Sequence, residues 1–347
     1  MTMLPPRWVR RLVLGPLTVV LTVVVATSLP LWLLLAACLS PLLPFSRWRP
    51  LRVLWVMLVH LGLEALALVA LFVLWVASGF GWRLRTPRFE RWHYDLVRIY
   101  LRTVYREARR VLHVRVTVEG PDPDAYSGRP LLVLSRHAGP GDSFLLVHAL
   151  VDWYDREPRL VLKDTMQWDP AIDVLLNRLP NRFISTEPGR TGDVVEQQIG
   201  DLASNLDDDD AFVIFPEGGN FTERRRARAI ERLRRRGLMS EADRAAQMRN
   251  VLAPRPGGVL AALAHAPDAD VVWVAHTGTD HLHSVMDVWR ELPMDTEIRM
   301  RWWHVPSDDV PEGRDARIDW LYTWWERIDD WITENRGATA DAVDPAA

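Results

Sequence analysis

Two long apolar stretches dominate the first eighty residues. From Leu12 to Cys38 no side chain is charged, and from Val53 to Ser78 the one charged side chain is Glu64. A helix rises about 1.5 Å per residue, so each stretch is long enough to cross a hydrocarbon core of about 30 Å. The segment Ser40 to Pro50 between them is punctuated by Pro41, Pro44 and Pro50. The pattern predicts an N-terminal membrane hairpin over residues 1–80 with both ends on one side. Arg7, Arg10 and Arg11 precede it and Arg83, Arg85, Arg88 and Arg91 follow it, against Arg47, Arg49 and Arg52 at the turn. That excess favours cytoplasmic ends, in an inner or plasma membrane, with the domain that follows on the cytoplasmic side. Pro16, Pro30, His60 and Glu64 are awkward in a simple span, so a hairpin re-entering one leaflet is the alternative to a transmembrane one. Leu35-Ala36-Ala37-Cys38 has the shape of a lipoprotein cleavage box. The apolar run is long for a signal sequence and a second one follows, so Cys38 reads as a small apolar residue of a lipid-facing helix.

Beyond residue 80 the periods shorten. Tyr94, Leu96, Val97, Tyr100, Leu101, Val104 and Tyr105 recur at helical spacing and predict a helix from Trp92 to Val111. It forms a connecting segment over 81–112. Val114, Val116 and Val118 alternate with polar residues, as in a half-buried strand that ends at Gly120-Pro121-Asp122-Pro123. Leu131–Leu134, Arg159–Leu162, Ala211–Phe215 and Val271–Ala275 are short apolar runs suited to buried strands, with helical stretches between them. This alternation predicts an α/β domain over 113–336, with a mixed, largely parallel sheet flanked by helices. Residues 337–347 are small and polar and read as a disordered tail.

Composition changes the picture little. A net charge of -3 excludes a generally basic, nucleic-acid-like protein, and the single cysteine excludes an internal disulfide framework. Lys163 is the sole lysine, so positive charge here means arginine.

The first chemical constellation is Ser135 to Asp142, where a strand ends and a helix begins. Strand-to-helix turns sit at the mouth of an α/β sheet, where ligands bind. Gly139 and Gly141 permit a tight turn that lets His137 and Asp142 meet. An ionised Asp142 at a helix start would hold one ring nitrogen of His137, leaving the other to accept a proton as general base. Backbone N–H groups from Gly139 to Asp142 would face an oxyanion. This chemistry requires neither a metal nor a covalent intermediate. The bland alternative makes His137 a core histidine and Asp142 a helix cap.

The second constellation follows the apolar run Phe212–Phe215 as Pro216-Glu217-Gly218-Gly219-Asn220-Phe221-Thr222. Gly218 and Gly219 allow a backbone to approach a phosphate closely, and Asn220 and Thr222 donate hydrogen bonds. Glu217, at the strand end, either orients an acceptor or braces the histidine turn.

Together these residues resemble the glycerolipid acyltransferases, which include the lysophosphatidic acid acyltransferases. The family's first motif, a His and an Asp separated by four residues, is matched by His137 and Asp142. Its third, Phe-Pro-Glu-Gly-Thr-Arg, resembles Phe215 to Asn220, with Gly219-Asn220 in place of Thr-Arg. The second, Phe-Ile-x-Arg, resembles Phe183 to Thr186 without its arginine, for which Arg182 or Arg190 would substitute. The resemblance spans Val114 to Thr277. It implies an O-acyltransferase with acyl-CoA or an acylated carrier protein as co-substrate and no further cofactor. It also implies membrane lipids as surroundings and a lysophospholipid, such as 1-acylglycerol-3-phosphate, as acceptor. The departures leave open a different lysophospholipid or another glycolipid as acceptor; acylation of glycerol 3-phosphate itself and a non-catalytic lipid-binding protein on the same fold are the rival readings.

The arginines from Arg224 to Arg236 form either a solvated basic helix or a surface for anionic headgroups and donor phosphates. No nucleic-acid recognition motif accompanies them. Asp207 to Asp210 reads as a solvated turn, and His281-x-His283 is a weak metal spacing. Ile318, Leu321, Trp324, Trp325, Ile328, Trp331 and Ile332 share one helical face that packs on the core, with a membrane-interface contact as the alternative.

Overall fold

The computed structural model describes residues 4–42, 48–121, 128–139, 141–184, 192–278, 280, 289–290, 292 and 294–336. The chain divides into two compact units. One comprises Met1–Val114, Val161–Pro188 and Val285–Asp295, and the other Arg115–Leu160, Gly189–Ser284 and Thr296–Ala347. In chain order the helices are α1 (Arg7–Thr27), α2 (Leu29–Leu42), α3 (Arg49–Ala77) and α4 (Pro87–Glu107). After β1 (Arg115–Glu119) and β2 (Leu131–Ser135) come α5 (Asp142–His148), β3 (Glu157–Lys163), α6 (Pro170–Leu176) and β4 (Arg182–Ile184). Then follow α7 (Gly192–Ala203), β5 (Asp210–Ile214), α8 (Glu223–Arg235), α9 (Met239–Gln247) and α10 (Pro256–His265). The strands β6 (Asp270–Thr277) and β7 (Glu297–Val305) precede the long final helix α11 (Arg314–Arg336).

In the first unit α1 and α3 are apolar and long enough to cross a membrane. They run antiparallel: Thr22 Oγ1 donates to the carbonyl of Leu61 at 3.1 Å, and Gly15 faces the Leu68 side chain. The stretch expected as one helix from Leu12 to Cys38 is two, broken at Ser28. Pro30 causes the break, because its ring excludes the preceding turn and it has no N–H to continue the ladder. Pro16 does not break α1, since the turn before it, Arg10–Leu14, is widened to i→i+5 bonding. Helix α4 begins at Pro87, five residues before the expected Trp92, and a further wide turn carries it to Leu112. It lies antiparallel along α3: Trp55 Nε1 donates to Glu107 at 2.8 Å and the Tyr100 hydroxyl to Glu64 at 3.0 Å. Also in this unit, Val161–Lys163 of β3 pairs in parallel with β4.

The second unit holds a six-strand sheet in the order β1-β7-β6-β2-β5-β3. Its centre, β3-β5-β2-β6, is parallel, and every residue of β2, β5 and β6 is buried. That double-sided burial is why these strands are continuous apolar runs rather than alternating ones. β7 pairs antiparallel with β6, and β1 parallel with β7, so the sheet is mixed. Helix α11 seals it with the expected stripe: Leu321, Trp325, Ile328, Trp331 and Ile332 are buried. Trp324 stacks on Trp273 of β6 at 5.3 Å and 8°. The parallel strands β2 and β5 end side by side, with Leu134 opposite Ile214, while β6 runs on past Ser135 to Thr277, and the segments that leave β2 and β5 hold the His137 and Glu217 turns.

Candidate active site

His137 and Asp142 lie on the turn after β2, in the second unit. Gly141 ends the turn and Asp142 begins α5. Asp142 is 7% exposed. Its Oδ2 accepts the N–H of Ala138 at 2.7 Å and that of Gly139. The carboxylate therefore shapes the turn from inside, a task its position in the sequence does not announce. It also overturns part of the oxyanion expectation, because the Gly139 N–H is committed to Asp142. Pro140 has no N–H to offer, so Gly141 and Asp142 supply the remaining backbone donors of that segment.

His137 is half-buried, with Nδ1 shut from solvent. Its ring lies 4.7 Å from that of Phe215, at 35°. Phe215 ends the apolar run of β5, so the two constellations meet here directly. Phe221 N–H donates to the carbonyl of His137 at 2.9 Å, a second tie between the loops.

Glu217 binds both. Its Oε1 accepts the His137 N–H at 3.0 Å and its Oε2 the Leu252 N–H at 3.0 Å. It is 1% exposed. Burial pushes its carboxyl up to about 7, against the opposing pull of Arg136 and of the His137 and Leu252 N–H donors. Of its two expected roles, the geometry gives Glu217 the bracing one.

Beneath the turn lies a buried polar layer that no local sequence motif marks. Arg136 is buried and donates to the carbonyls of His276 at 2.7 Å and Asn250 at 2.9 Å. It also pairs with Asp280 at 2.5 Å. Burial opposes the charged form of Asp280, but Arg136, the Thr277 hydroxyl and the Gly278 N–H outweigh it and hold its carboxyl below the ordinary carboxylate range. His276 Nε2 donates to the Arg136 carbonyl at 3.1 Å and lies 3.7 Å from Asp142 Oδ2. Arg136 adjoins His137, and His276 and Asp280 flank the end of β6, but only the register of β2 against β6 brings them together.

Gly218 has φ +66°, a conformation that favours glycine, and a Cβ there would stand 2.9 Å from Arg255 Nη1. Gly219 and Asn220 lie beside Arg225, whose Nη1 donates to the Asn220 carbonyl at 2.9 Å. Thr222 caps α8 by accepting the Arg225 N–H at 3.2 Å. Arg225, Arg232 and Arg236 crowd Arg255 with positive charge. Positive charge thus reaches the glycine turn from α8 and from Arg255, not from the Gly219-Asn220 positions themselves. Arg226 is different: it donates to the carbonyls of Met248 and Ala246 at 2.6 and 2.7 Å and so anchors α9.

The structure gathers His137, Gly139, Gly141, Asp142, Glu217, Gly218, Gly219 and Asn220 in the second unit. Arg182 is exposed on β4 of the first unit. Arg190, the His281-x-His283 pair and the tail from 337 to 347 lie outside the described residues.

Residues 115–277, from the start of β1 to the end of β6, match the family model described as Acyltransferase. Among solved structures, the chain is similar to the 1-acyl-sn-glycerophosphate (LPA) acyltransferase PlsC from Thermotoga maritima. The identity is 14% and the TM-score 0.43, covering 76% of this chain and 95% of that one. No curated protein matches the chain.

Proposed function

We propose that this chain is a membrane-bound O-acyltransferase that acylates a lysophospholipid from acyl-CoA or an acylated carrier protein, a reading supported by the match of residues 115–277 to the family model described as Acyltransferase. The observation that carries this reading is the bracing of the His137 turn from both sides, by Asp142 from within and by Glu217 from the next loop. Such over-determined placement suits a group that has to meet a substrate hydroxyl within hydrogen-bond reach.

In this reaction His137 Nε2 takes the proton of the acceptor hydroxyl as its oxygen attacks the thioester carbonyl carbon. The C–O bond forms, the C–S bond breaks, and the departing thiolate receives the proton from the imidazolium. The Gly141 and Asp142 N–H groups face the oxyanion. Arg225 and Arg255 attract the phosphate of the acceptor toward the Gly218 turn. The acceptor is assigned as 1-acylglycerol-3-phosphate, with glycerol 3-phosphate or another glycolipid as the alternatives that the Gly219-Asn220 substitution keeps in play.

The two apolar helices associate the protein with membrane, and we place the active domain on the cytoplasmic side. Of the two hairpin arrangements, the re-entrant one fits better. Helix α4, with Arg91, Arg98 and Arg102, accompanies α3 from Trp55 to Glu64, and Arg178 donates to the Leu71 carbonyl at 2.8 Å. An arginine-bearing helix alongside that much of α3 is costly within hydrocarbon. The deciding experiment measures thiol release by the purified protein with acyl-CoA and a panel of lysophospholipids, glycerol 3-phosphate and lysoglycolipids. Release that depends on a phosphate-bearing lysolipid is expected, and no release with any acceptor or donor would refute the reading.

A further inference from the structure

One cluster of ligand-type side chains lies apart from the His137 turn, within the first unit. His60 and Glu64 are four residues apart on α3, so they share a helix face. Asp169, the residue before α6, joins them, and one donor atom from each of the three lies within 4.8 Å of the others. Tyr100 from α4 closes the group: its hydroxyl is 3.0 Å from Glu64 Oε1 and 3.4 Å from His60 Nδ1.

Three features point beyond a chance grouping. First, Glu64 stands in the middle of an otherwise uncharged apolar run and is 3% exposed, where a carboxylate is retained only against a large solvation cost. Second, its Oε2 is buried and makes no well-formed hydrogen bond among the described residues, although Oε1 accepts from Tyr100 and the Asp169 carboxyl and the Ala171 N–H approach the group. A buried carboxylate oxygen without a well-formed hydrogen bond signals a missing cation or water. Third, Asp169 brings a second carboxylate to the first, and no lysine or arginine pairs with either among the described residues. Asp169 is also fixed, because its Oδ1 accepts the Ile172 N–H at 2.9 Å as the cap of α6. His60 is exposed and leaves the cluster an opening for an ion to enter.

We propose that His60, Glu64 and Asp169 bind a divalent first-row transition ion of the Zn²⁺ class. One imidazole and two carboxylates are a donor set that such ions accept at about 2.0–2.2 Å, with remaining positions for water. Ligands so held lie about 3–4 Å apart, so the side chains draw together by no more than about 1–2 Å. Tyr100 orients Glu64, as a second layer of hydrogen bonds does in metal sites. The ion ties α3 to the start of α6 and neutralises both carboxylates. It takes no part in acyl transfer.

The test uses the full-length protein in detergent micelles, stripped with chelator and titrated with Co²⁺ as the spectroscopic probe and Zn²⁺ as competitor. The expected result is visible d–d absorption that saturates at one equivalent, is displaced by Zn²⁺, and is accompanied by a raised melting temperature. His60→Ala, at an exposed position, should fold normally and bind about 100-fold more weakly, and Glu64→Gln should lose the signal. His113→Ala, which removes an exposed histidine paired with Asp295 elsewhere in this unit, should leave it unchanged. A folded wild-type protein without a saturable signal would overturn the proposal and leave the two carboxylates sharing a proton. Binding undiminished in His60→Ala would overturn it as well.

Discussion

Glu217 accepts the backbone N–H of His137 at 3.0 Å across 80 residues of sequence, and so joins the loop after β5 to the loop after β2. The same carboxylate holds Leu252 with its other oxygen. Replacing it with glutamine keeps the shape but turns one acceptor into a donor aimed at an N–H. Glu217→Gln should therefore lower thioester turnover, through misplacement of His137, more than it changes acceptor KM.

Its ionisation adds a pH signature. The folded carboxyl, pushed up to about 7, holds its proton where the unfolded one, near 4.5, has lost it. The native state then binds more protons than the unfolded state, so this group's contribution to stability falls as pH rises from about 4.5 to about 7. Denaturation of wild type and Glu217→Gln across that window should show wild type losing stability relative to the variant, by at most about 1.4 kcal/mol per pH unit. A difference that stays flat with pH would contradict the buried, proton-holding carboxyl.

Arg136 and Asp280 are both buried, and their pairing is the charge balance under the site. Asp280→Leu should cost about 3–5 kcal/mol by stranding a guanidinium, and Arg136→Met with Asp280→Leu should recover part of it. Thermal melts of the three proteins check this. Equal losses in the single and double variants would show that the pair is not coupled.

Much of the fold was legible because burial writes itself into sequence. β2, β5 and β6 are covered on both faces, and their apolar runs announced them. β7 was missed because Glu297, Arg299 and Arg301 interrupt its apolar positions and it borders β1, a strand with exposed residues. The break of the first apolar run at Ser28 was signalled by Pro30, yet Pro16 shows why the same residue type did not decide the matter alone. In the site, His137, Asp142 and Glu217 were readable from their turns. The Arg136, His276 and Asp280 layer and Arg255 were not, because their proximity comes from strand register and loop return, which local spacing does not encode.

Arg255 stands over Gly218 and among Arg225, Arg232 and Arg236. Arg255→Ala should raise the KM for a phosphate-bearing acceptor about tenfold, with a smaller change in kcat and little change for a neutral acceptor. Steady-state kinetics with the two acceptor types check this, and equal effects on both would remove the arginine from phosphate recognition.

On the proposed reading the exposed arginines of α8 attract anionic headgroups, with Arg226 excepted because it anchors α9. Arg224→Ser with Arg228→Ser should weaken binding to anionic vesicles at low salt, and the difference should shrink as salt rises. Vesicle co-sedimentation that does not change at low salt would make α8 a solvated face.

The most direct test of the whole account is single-turnover thiol release by His137→Ala. The ring is half-buried at the end of β2, so its loss should leave the melting temperature close to that of wild type. Turnover should fall by about two to four orders of magnitude, the usual worth of a general base. A folded His137→Ala protein that releases thiol at near the wild-type rate would contradict the claim that this histidine moves the proton.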